Sequence, residues 1–255
     1  MELQGRTALI TGSCGEGMGR STAFRLAREG ANIVLNYGTH RRGATVKAHS
    51  ERIADGIDSL GGRAIVCEAD TAIEDEVEGM VKAAREAFGS IDILVNNAGG
   101  EWSIKDYTKI PHEHWKDVLA DEIDAPFLLM KHIVPGMRKR KWGRIIHIGM
   151  QGALMLQQIK GLAPDYCLGK AARAWMTTAF GIQEFGNGIT VNAVEPGLTA
   201  HMRFEDAFEA VAGSGRVWRA REKVMVHDIA EIVAFLCSEA ARFISGSSIR
   251  LPTDP

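Results

Sequence analysis

The sequence has little net charge: 30 lysines and arginines against 32 aspartates and glutamates leave −2 over 255 residues. Nucleic acids and anionic membrane surfaces are normally bound by a basic excess, which is lacking here. No apolar run approaches the roughly 20 residues of a membrane-spanning helix, and no charged lead with an apolar signal segment precedes the first strand. We therefore expect neither a nucleic-acid nor a membrane partner.

Cysteines are few and isolated. Cys14, Cys67, Cys167 and Cys237 show no short Cys/Cys or Cys/His spacing of the kind that binds a metal or forms a redox pair. We expect no metal site and a reducing, cytoplasmic setting.

The most informative absence is local: no serine or threonine occurs between His147 and Asp165. This stretch leads into DYCLGK, in which Tyr166 and Lys170 are four residues apart and project from one face of a predicted helix. A phenol is a poor acid–base catalyst at neutral pH, but a nearby ammonium can stabilise its anion and lower its pKa. The pair predicts proton transfer at a carbonyl oxygen, with no hydroxyl beside it.

Strand-like apolar runs alternate with helical patterns along the chain. The strand-like runs are RTALIT (6–11), NIVLN (32–36), AIVCE (64–68), IDILV (91–95), RIIHI (144–148), TVNAV (190–194) and SIRL (248–251). Apolar residues three and four apart predict helices near 19–29, 44–60, 73–88, 112–140, 165–185 and 228–238. The alternation predicts a single α/β domain over residues 1–255, with a doubly wound, seven-stranded parallel sheet. Residues 197–222 break the pattern and are expected to form a small substrate lid.

The first strand leads into a glycine-rich turn, TGSCGEGMG, and then into a helix. Gly12, Gly17 and Gly19 lack a Cβ, which lets the backbone approach a pyrophosphate whose charge the helix N-terminus favours. Strand, turn and helix in this order indicate a dinucleotide-binding site.

Three further motifs extend this interpretation: NNAG (96–99), YCLGK (166–170) and EPG (195–197). Together with the glycine-rich turn, they resemble the motif set of the short-chain dehydrogenase/reductase (SDR) family over almost the whole chain. The resemblance implies a Rossmann-type fold that binds NAD or NADP.

The resemblance also implies roles for single residues. Asp70 is expected near the adenine amine and Asn96 near the adenosine ribose, although either could be only a capping or turn residue. The Pro-Gly turn assigns Pro196 and Gly197 to the cofactor site. Tyr166 and Lys170 are implied as catalytic residues that also contact the cofactor, Lys170 through the nicotinamide ribose.

The choice of cofactor depends on the end of the second strand. A carboxylate there would bond the ribose 2′-hydroxyl and select NAD, whereas this chain has Asn36, followed by Arg41 and Arg42. Either arginine could pair with a 2′-phosphate. NADP is therefore predicted, with NAD as the alternative because Glu16 lies on the nearby glycine-rich turn.

Two positions depart from the family's pattern. The family's serine, whose hydroxyl polarises the substrate carbonyl, is matched by Met150, and its helix asparagine, which supports a water relay to the lysine, by Glu122. Gln151 is the nearest N–H donor and is predicted to replace the serine, with Gln157 and Gln158 as later candidates. Glu122 is predicted to be a catalytic residue that relays protons or pairs with Lys170 and so keeps its ammonium charged. Any of these glutamines could instead be a simple polar loop residue, and Glu122 an exposed helix residue.

Two classes of function follow. The first is an NAD(P)-dependent oxidoreductase acting on a carbonyl or secondary alcohol of an apolar or aromatic small molecule, as Trp102 and Phe204 suggest. His201 and Arg203 could hold a polar end of that substrate. The second is a cofactor-binding protein without simple redox turnover, either a regulatory subunit or a lyase- or isomerase-like enzyme. The retained Tyr/Lys pair favours the first.

The resemblance further implies a homotetramer or homodimer built on the helices near 112–140 and 165–185. The first of these has more apolar positions than one buried face needs: Val118, Leu119, Leu129, Met130, Ile133 and Met137.

Overall fold

The computed structural model describes residues 1–38, 45–101, 106–153, 163–212 and 224–251. Within these ranges, seven strands form one parallel sheet in the order β3-β2-β1-β4-β5-β6-β7. The strands are β1 Thr7–Ile10, β2 Asn32–Tyr37, β3 Arg63–Glu68, β4 Ile93–Asn96, β5 Gly143–Ile148, β6 Ile189–Pro196 and β7 Ser248–Leu251. The predicted seven-stranded, doubly wound sheet is confirmed.

The helices of the described ranges cover both faces of this sheet. They are α1 Met18–Arg28, α2 Thr45–Ser59, α3 Glu74–Phe88, α4 His112–Leu119, α5 Ala125–Arg140, α6 Pro164–Phe185, α7 Phe204–Ala212 and α8 Val226–Cys237, with 3₁₀ turns at Tyr107–Lys109 and Glu239–Ala241. The single helix predicted near 112–140 is two helices joined by a π-helical turn, Ala120–Asp124. Such turns are rare and occur frequently at functional sites.

The core has two halves, one on each side of the sheet. Successive residues of a strand point to opposite faces, so Ile10 of β1 packs with Phe24 of α1 and Ile57 of α2. Leu9 instead packs on the other face with Val81 of α3. Because both faces are covered, all four residues of β1 are buried.

The segment predicted to be a lid contains helix α7. The ring of Phe204 meets that of Phe24 edge-on, with centroids 5.5 Å apart, and the guanidinium of Arg52 lies 3.9 Å from its centroid. Phe204 therefore packs against α1 and α2. The prediction that it faces an apolar substrate is wrong. Residues 213–223 and Trp102 lie outside the described ranges.

Within the described ranges, the structure shows neither a membrane-spanning helix nor a metal-binding cluster. No helix there is long and apolar enough to cross a membrane. No cluster of three or more His, Cys, Asp or Glu side chains could hold a metal ion. All four cysteines are free thiols.

Candidate active site

A cleft of about 480 Å³ opens where the strand order reverses, at the carboxyl ends of β1, β2 and β4. Open α/β sheets bind their ligands at this kind of switch point. Five residues predicted to bind the cofactor line the cleft: Gly12, Gly17, Gly19, Asn36 and Asp70. Arg41 lies outside the described residues.

The glycine-rich turn between β1 and α1 has no room for side chains at two positions. Gly12 has φ +60°, and a Cβ there would lie 3.1 Å from Cα of Ala98. A Cβ on Gly19 would lie 2.6 Å from Nδ2 of Asn97 and 2.8 Å from the carbonyl oxygen of Gly12. Both positions therefore require glycine because the backbone of the turn packs directly on β4 and its exit.

The N-terminus of α1 faces this turn without a side-chain cap. Its N-cap residue is Gly17, and no acidic residue lies in the first turn of the helix. The first N–H groups of the helix therefore keep their hydrogen-bonding capacity and their partial positive charge for an anion.

The side chain of Asn36 holds the glycine-rich turn in place through hydrogen bonds. Its Oδ1 accepts a hydrogen bond from the backbone N–H of Gly12 at 3.3 Å, and its Nδ2 donates to the carbonyl of Ala69 at 3.0 Å. The side chain thus ties the glycine-rich turn to the exit of β3. Asp70 lines the cleft, and its Oδ1 accepts the N–H of Ala72 at 2.9 Å, so it is also a turn residue.

The two asparagines of NNAG have different positions. Asn97 lines the cleft, and its Nδ2 donates to the carbonyl of Thr11 at 2.8 Å. Asn96, predicted near the adenosine ribose, is buried beneath the cleft, and its Nδ2 lies 3.2 Å from Nδ1 of His147. The structure therefore brings Asn97, rather than Asn96, to the cleft surface.

Tyr166 and Lys170 lie on the first turns of α6. Pro164 and Asp165 start this helix, as their preference for the first helical turn leads one to expect. Lys170 is buried, and its Nζ donates to the carbonyl of Ile148 at 3.1 Å, at the carboxyl end of β5. The same nitrogen lies 5.1 Å from the centroid of the Tyr166 ring. The predicted pair is therefore assembled beside the end of the sheet.

Glu122 lies in the π-helical turn and is fully buried, so the alternative of an exposed helix residue is wrong. Its Oε2 is 3.2 Å from Nζ of Lys170, and its Oε1 accepts the backbone N–H of Gly100 at 2.9 Å. A Cβ on Gly169 of α6 would overlap the side chain of Glu122. The glycine inside YCLGK is thus what allows the carboxylate to lie against Lys170.

Arg173 is a site residue that the sequence analysis missed. Its guanidinium is buried and lies among backbone carbonyls at the ends of two strands and in the π-helical turn. It donates to the carbonyls of Asn96, Ala98, Asp121, Glu122 and Ile148. The available signal was its spacing: a charged residue three positions after Lys170 and seven after Tyr166 shares their helix face.

Burial dominates the electrostatics of the pair. It raises the pKa of Tyr166 above its usual range, with the charge of Glu122 acting in the same direction. Burial also lowers the pKa of Lys170 to about 8, assisted by the positive charge of Arg173. The prediction that Lys170 lowers the pKa of Tyr166 is therefore wrong for this state of the protein. Tyr166 rests in its protonated form, which suits a proton donor.

Met150 and Gln151 follow β5 in a tight turn. The N–H of Ala153 donates to the carbonyl of Met150 at 3.2 Å, and Gly152 takes φ +81°. The N–H of Gln151 donates to the carbonyl of Pro196 at 3.0 Å, which joins this turn to the predicted Pro-Gly segment. Gln157 and Gln158 lie outside the described residues.

His201 and Arg203, both predicted to hold a polar end of the substrate, lie in different places. His201 lines the nucleotide cleft. Arg203 is exposed, and its Nε lies 3.0 Å from Oδ2 of Asp206 in a surface ion pair. Arg203 is therefore engaged on the surface rather than aimed at a substrate.

Comparison with known proteins identifies the family. Residues 13–251 match the family profile described as enoyl-(acyl carrier protein) reductase. The chain is 32% identical over 253 residues to the 3-oxoacyl-(acyl-carrier-protein) reductase of Staphylococcus epidermidis, with 96% of this chain and 97% of that protein covered. The chain belongs to the short-chain dehydrogenase/reductase family.

Other SDR relatives differ in their activities. The cyclohexanol dehydrogenase of an Acinetobacter species is 30% identical over 247 residues, covering 95% of this chain and 91% of that one. A crystal structure of a dehydrogenase/reductase from Sinorhizobium meliloti superposes with a TM-score of 0.80 at 29% identity, covering 98% and 94% of the two chains. The relatives therefore establish an SDR oxidoreductase scaffold and leave the substrate open.

Membership of the SDR family implies NAD or NADP as the cofactor, and the cleft fits a dinucleotide. Gly12, Gly17 and Gly19 line the cleft, and the uncapped N-terminus of α1 offers N–H groups to a pyrophosphate. Asp70 and Asn97 line the part of the cleft beyond the turn.

Proposed function

We propose that this SDR protein is a carbonyl reductase that uses NADPH and acts on an apolar small molecule. The same site would also catalyse the reverse reaction, the oxidation of a secondary alcohol. The observation that carries the proposal is the buried Tyr166/Lys170 pair, at the same sheet edge as the dinucleotide cleft. Met150, at the position where the family has serine, supports an apolar rather than a polar surface beside the reacting group.

The chemistry supported by the chain is a proton transfer. When bound in the cleft, a reduced nicotinamide would supply the hydride that the carbonyl carbon of the substrate accepts. The Oη–H bond of Tyr166 breaks as its proton passes to the carbonyl oxygen, which leaves a phenolate on the enzyme. Lys170, whose pKa is about 8, is largely an ammonium at neutral pH and stabilises that phenolate. The raised pKa of Tyr166 keeps its phenol protonated before the reaction.

A second candidate is a cofactor-binding protein without simple redox turnover, either a lyase- or isomerase-like enzyme or a regulatory subunit. The specific feature in its favour is a mismatch at the two positions that the resemblance aligns with the family's serine and asparagine: Met150 has no hydroxyl, and Glu122 has a carboxylate in place of an amide. Retention of both Tyr166 and Lys170 weighs against a purely regulatory role, because such a role needs no proton donor.

The test is NADPH oxidation with a broad panel of ketones and aldehydes, and NADP reduction with the matching alcohols. We expect turnover with at least one apolar carbonyl compound, and its loss when the proton donor is removed. A complete panel without Tyr166-dependent turnover, with either nicotinamide cofactor, would support the second candidate instead.

We predict that NADP(H) binds more tightly than NAD(H). Asn36 carries no charge that would repel a 2′-phosphate. The sequence has Arg41 and Arg42, which lie outside the described residues, as candidate cationic partners. Glu16, which lines the cleft, acts in the opposite direction. Fluorescence titration of both cofactors measures the preference, and Arg41→Ala with Arg42→Ala should reduce it. A preference for NAD(H) that persists in the double variant would contradict this assignment.

A homodimer or homotetramer is also proposed, but on different residues from those expected. The apolar residues of the 112–140 region on which the interface was expected are not available for one. Leu119 is half-buried, and the other five are buried in the chain's own core: Val118, Leu129, Met130, Ile133 and Met137. Three exposed apolar side chains on α5 and α6 are the better candidates: Phe127 is 49% exposed, Trp175 64% and Ile182 75%. A groove between the two helices is lined by Phe127, Pro135 and Phe180.

Light scattering at micromolar concentration should give the mass of a dimer or tetramer. Trp175→Glu combined with Ile182→Glu should lower that mass, since it places charges in the proposed contact. Ile73→Glu is the matched control, because Ile73 is an exposed apolar residue at the start of α3. A monomeric mass for the unaltered protein would rule the proposal out.

A small molecule is the partner that this proposal requires, and neither nucleic acid nor a membrane is proposed. A cytoplasmic location, expected from the isolated cysteines, stays a prediction.

A further inference from the structure

Three charged side chains meet beneath the proposed active site. Glu122, Lys170 and Arg173 are all buried, and the two cations approach the same carboxylate oxygen. Oε2 of Glu122 lies 3.2 Å from Nζ of Lys170 and 2.8 Å from Nε of Arg173. Burying a carboxylate destabilises the folded protein unless a positive charge pairs with it. The burial of Glu122 therefore depends on Lys170 and Arg173.

The contacts of Oε2 are electrostatic rather than aligned hydrogen bonds. Nε of Arg173 donates to the backbone carbonyl of Glu122 at 3.0 Å, and Nζ of Lys170 donates to that of Ile148 at 3.1 Å. Oε2 itself has no aligned donor, although it is buried. It therefore interacts with both cations through charge.

Arg173 also holds the surrounding backbone. Its Nη2 donates to the carbonyl of Asp121 at 2.8 Å and to that of Ala98 at 2.6 Å, and its Nη1 to that of Asn96 at 3.2 Å. One guanidinium thus joins the exit of β4 to the π-helical turn. A planar guanidinium suits this role because its N–H groups point in fixed directions, unlike those of an ammonium.

We propose that Arg173 is a positioning residue, which holds the Glu122 carboxylate against Lys170 and so keeps the Lys170 ammonium aligned with Tyr166. The family's asparagine and water relay are replaced in this chain by a direct carboxylate–ammonium contact, and Arg173 is the counter-charge that makes a carboxylate tolerable there. Glu122 and Arg173 are one functional unit. The inference depends on the proposed function only for the role of Lys170 in catalysis.

The charges around Lys170 make the proposal measurable. After burial, the positive charge of Arg173 lowers the pKa of Lys170, while Glu122 raises it. On β5, His147 also faces the cluster, but burial lowers its pKa to about 3, so it is neutral at the pH values concerned. Tyr166 stays protonated there because its own pKa is raised. Removing Arg173 or Glu122 should therefore move the titration of Lys170 in opposite directions.

The experiment is NMR of protein labelled with ¹³C at lysine Cε, in which the resonance absent from Lys170→Met identifies Lys170. The unaltered protein should titrate near pH 8. Arg173→Met should raise this midpoint, and Glu122→Gln should lower it, each by about one pH unit or more, as expected for unit charges a few ångströms apart. The double variant should return toward the unaltered value.

Two further variants separate positioning from simple loss of structure. Arg173→Lys keeps the charge but loses the fork, so it should leave the midpoint near that of the unaltered protein and lower kcat more than it raises KM. Arg144→Met removes a buried arginine paired with Glu239 at the amino-terminal end of β5, the end away from Lys170, and should destabilise the protein without moving the Lys170 midpoint.

Shifts in the same direction for Arg173→Met and Glu122→Gln, or no shift in either, would overturn the proposal. If Arg173→Met does not fold, Glu122→Gln and the double variant decide: a double variant that titrates no higher than Glu122→Gln overturns it. The titration needs no substrate. Absence of redox turnover would therefore count against the proposed function while leaving this result intact.

Discussion

Tyr166→Phe is expected to abolish carbonyl reduction while leaving the affinity for NADPH nearly unchanged. The substitution removes the Oη–H group that protonates the substrate oxygen but keeps the aromatic ring, and Lys170 retains its contacts with Glu122 and Ile148. A positioned general acid contributes about 10²–10⁴ in rate, so kcat should fall at least by this factor. Steady-state kinetics and fluorescence titration of NADPH measure the two effects separately.

Tyr107→Phe provides the matched control. Tyr107 is 74% exposed in the 3₁₀ turn before α4, so loss of its hydroxyl should leave kcat and cofactor affinity unchanged. If Tyr166→Phe turns over at the rate of the unaltered protein, another group delivers the proton. A parallel loss of NADPH affinity would instead indicate that Tyr166 is mainly a cofactor ligand.

The fold was readable from the sequence because its signals are local. The apolar run ALI in β1 is buried on both faces, and the alternating helical patterns place a helix after almost every strand. The glycines of TGSCGEGMG were also readable, since positive φ and close backbone approach at Gly12 restrict that position to glycine. Each of these features depends on residues near one another in the chain.

The π-helical turn was not readable, because it depends on contacts between distant segments. The resemblance to the family indicated that Glu122 could pair with Lys170, but from the residues alone an acidic residue in ADEID, far in sequence from Lys170 and Arg173, is ordinarily assigned to a solvated helix face. The tertiary structure buries it because Gly169 leaves space on α6. Arg173 supplies the charge that compensates for it.

The protonation of the pair likewise depends on the packed structure. From spacing alone, Lys170 is expected to lower the pKa of Tyr166, since only their proximity is visible. Burial of both groups reverses this expectation, raising one pKa and lowering the other. Desolvation is a property of the whole fold and leaves no signature in a short motif.

Gln151→Ala is expected to reduce kcat by about 10²–10³, the loss typical of one oxyanion donor, with a smaller effect on KM. Gln151 directly follows Met150, which we predict to take the place of the family's serine, and the backbone N–H of Gln151 donates to the carbonyl of Pro196. This bond fixes the turn, so removal of the side chain amide should not shift the backbone. Steady-state kinetics with the best carbonyl substrate of the panel give the two constants.

Gln151→Glu is the matched variant, because it keeps the length of the side chain and loses the amide donor. It should lower kcat at least as strongly as Gln151→Ala, since a carboxylate opposes a developing oxyanion. Met150→Ser tests the same place from the opposite side: in a Gln151→Ala background, a hydroxyl within reach of the substrate oxygen should restore part of the lost kcat. If Gln151→Ala turns over at the unaltered rate, the amide is not the donor, and substitutions of Gln157 and Gln158 become the next experiments. A proportional loss in kcat and kcat/KM, with cofactor affinity retained, would identify Gln151 as a group that acts only in the transition state.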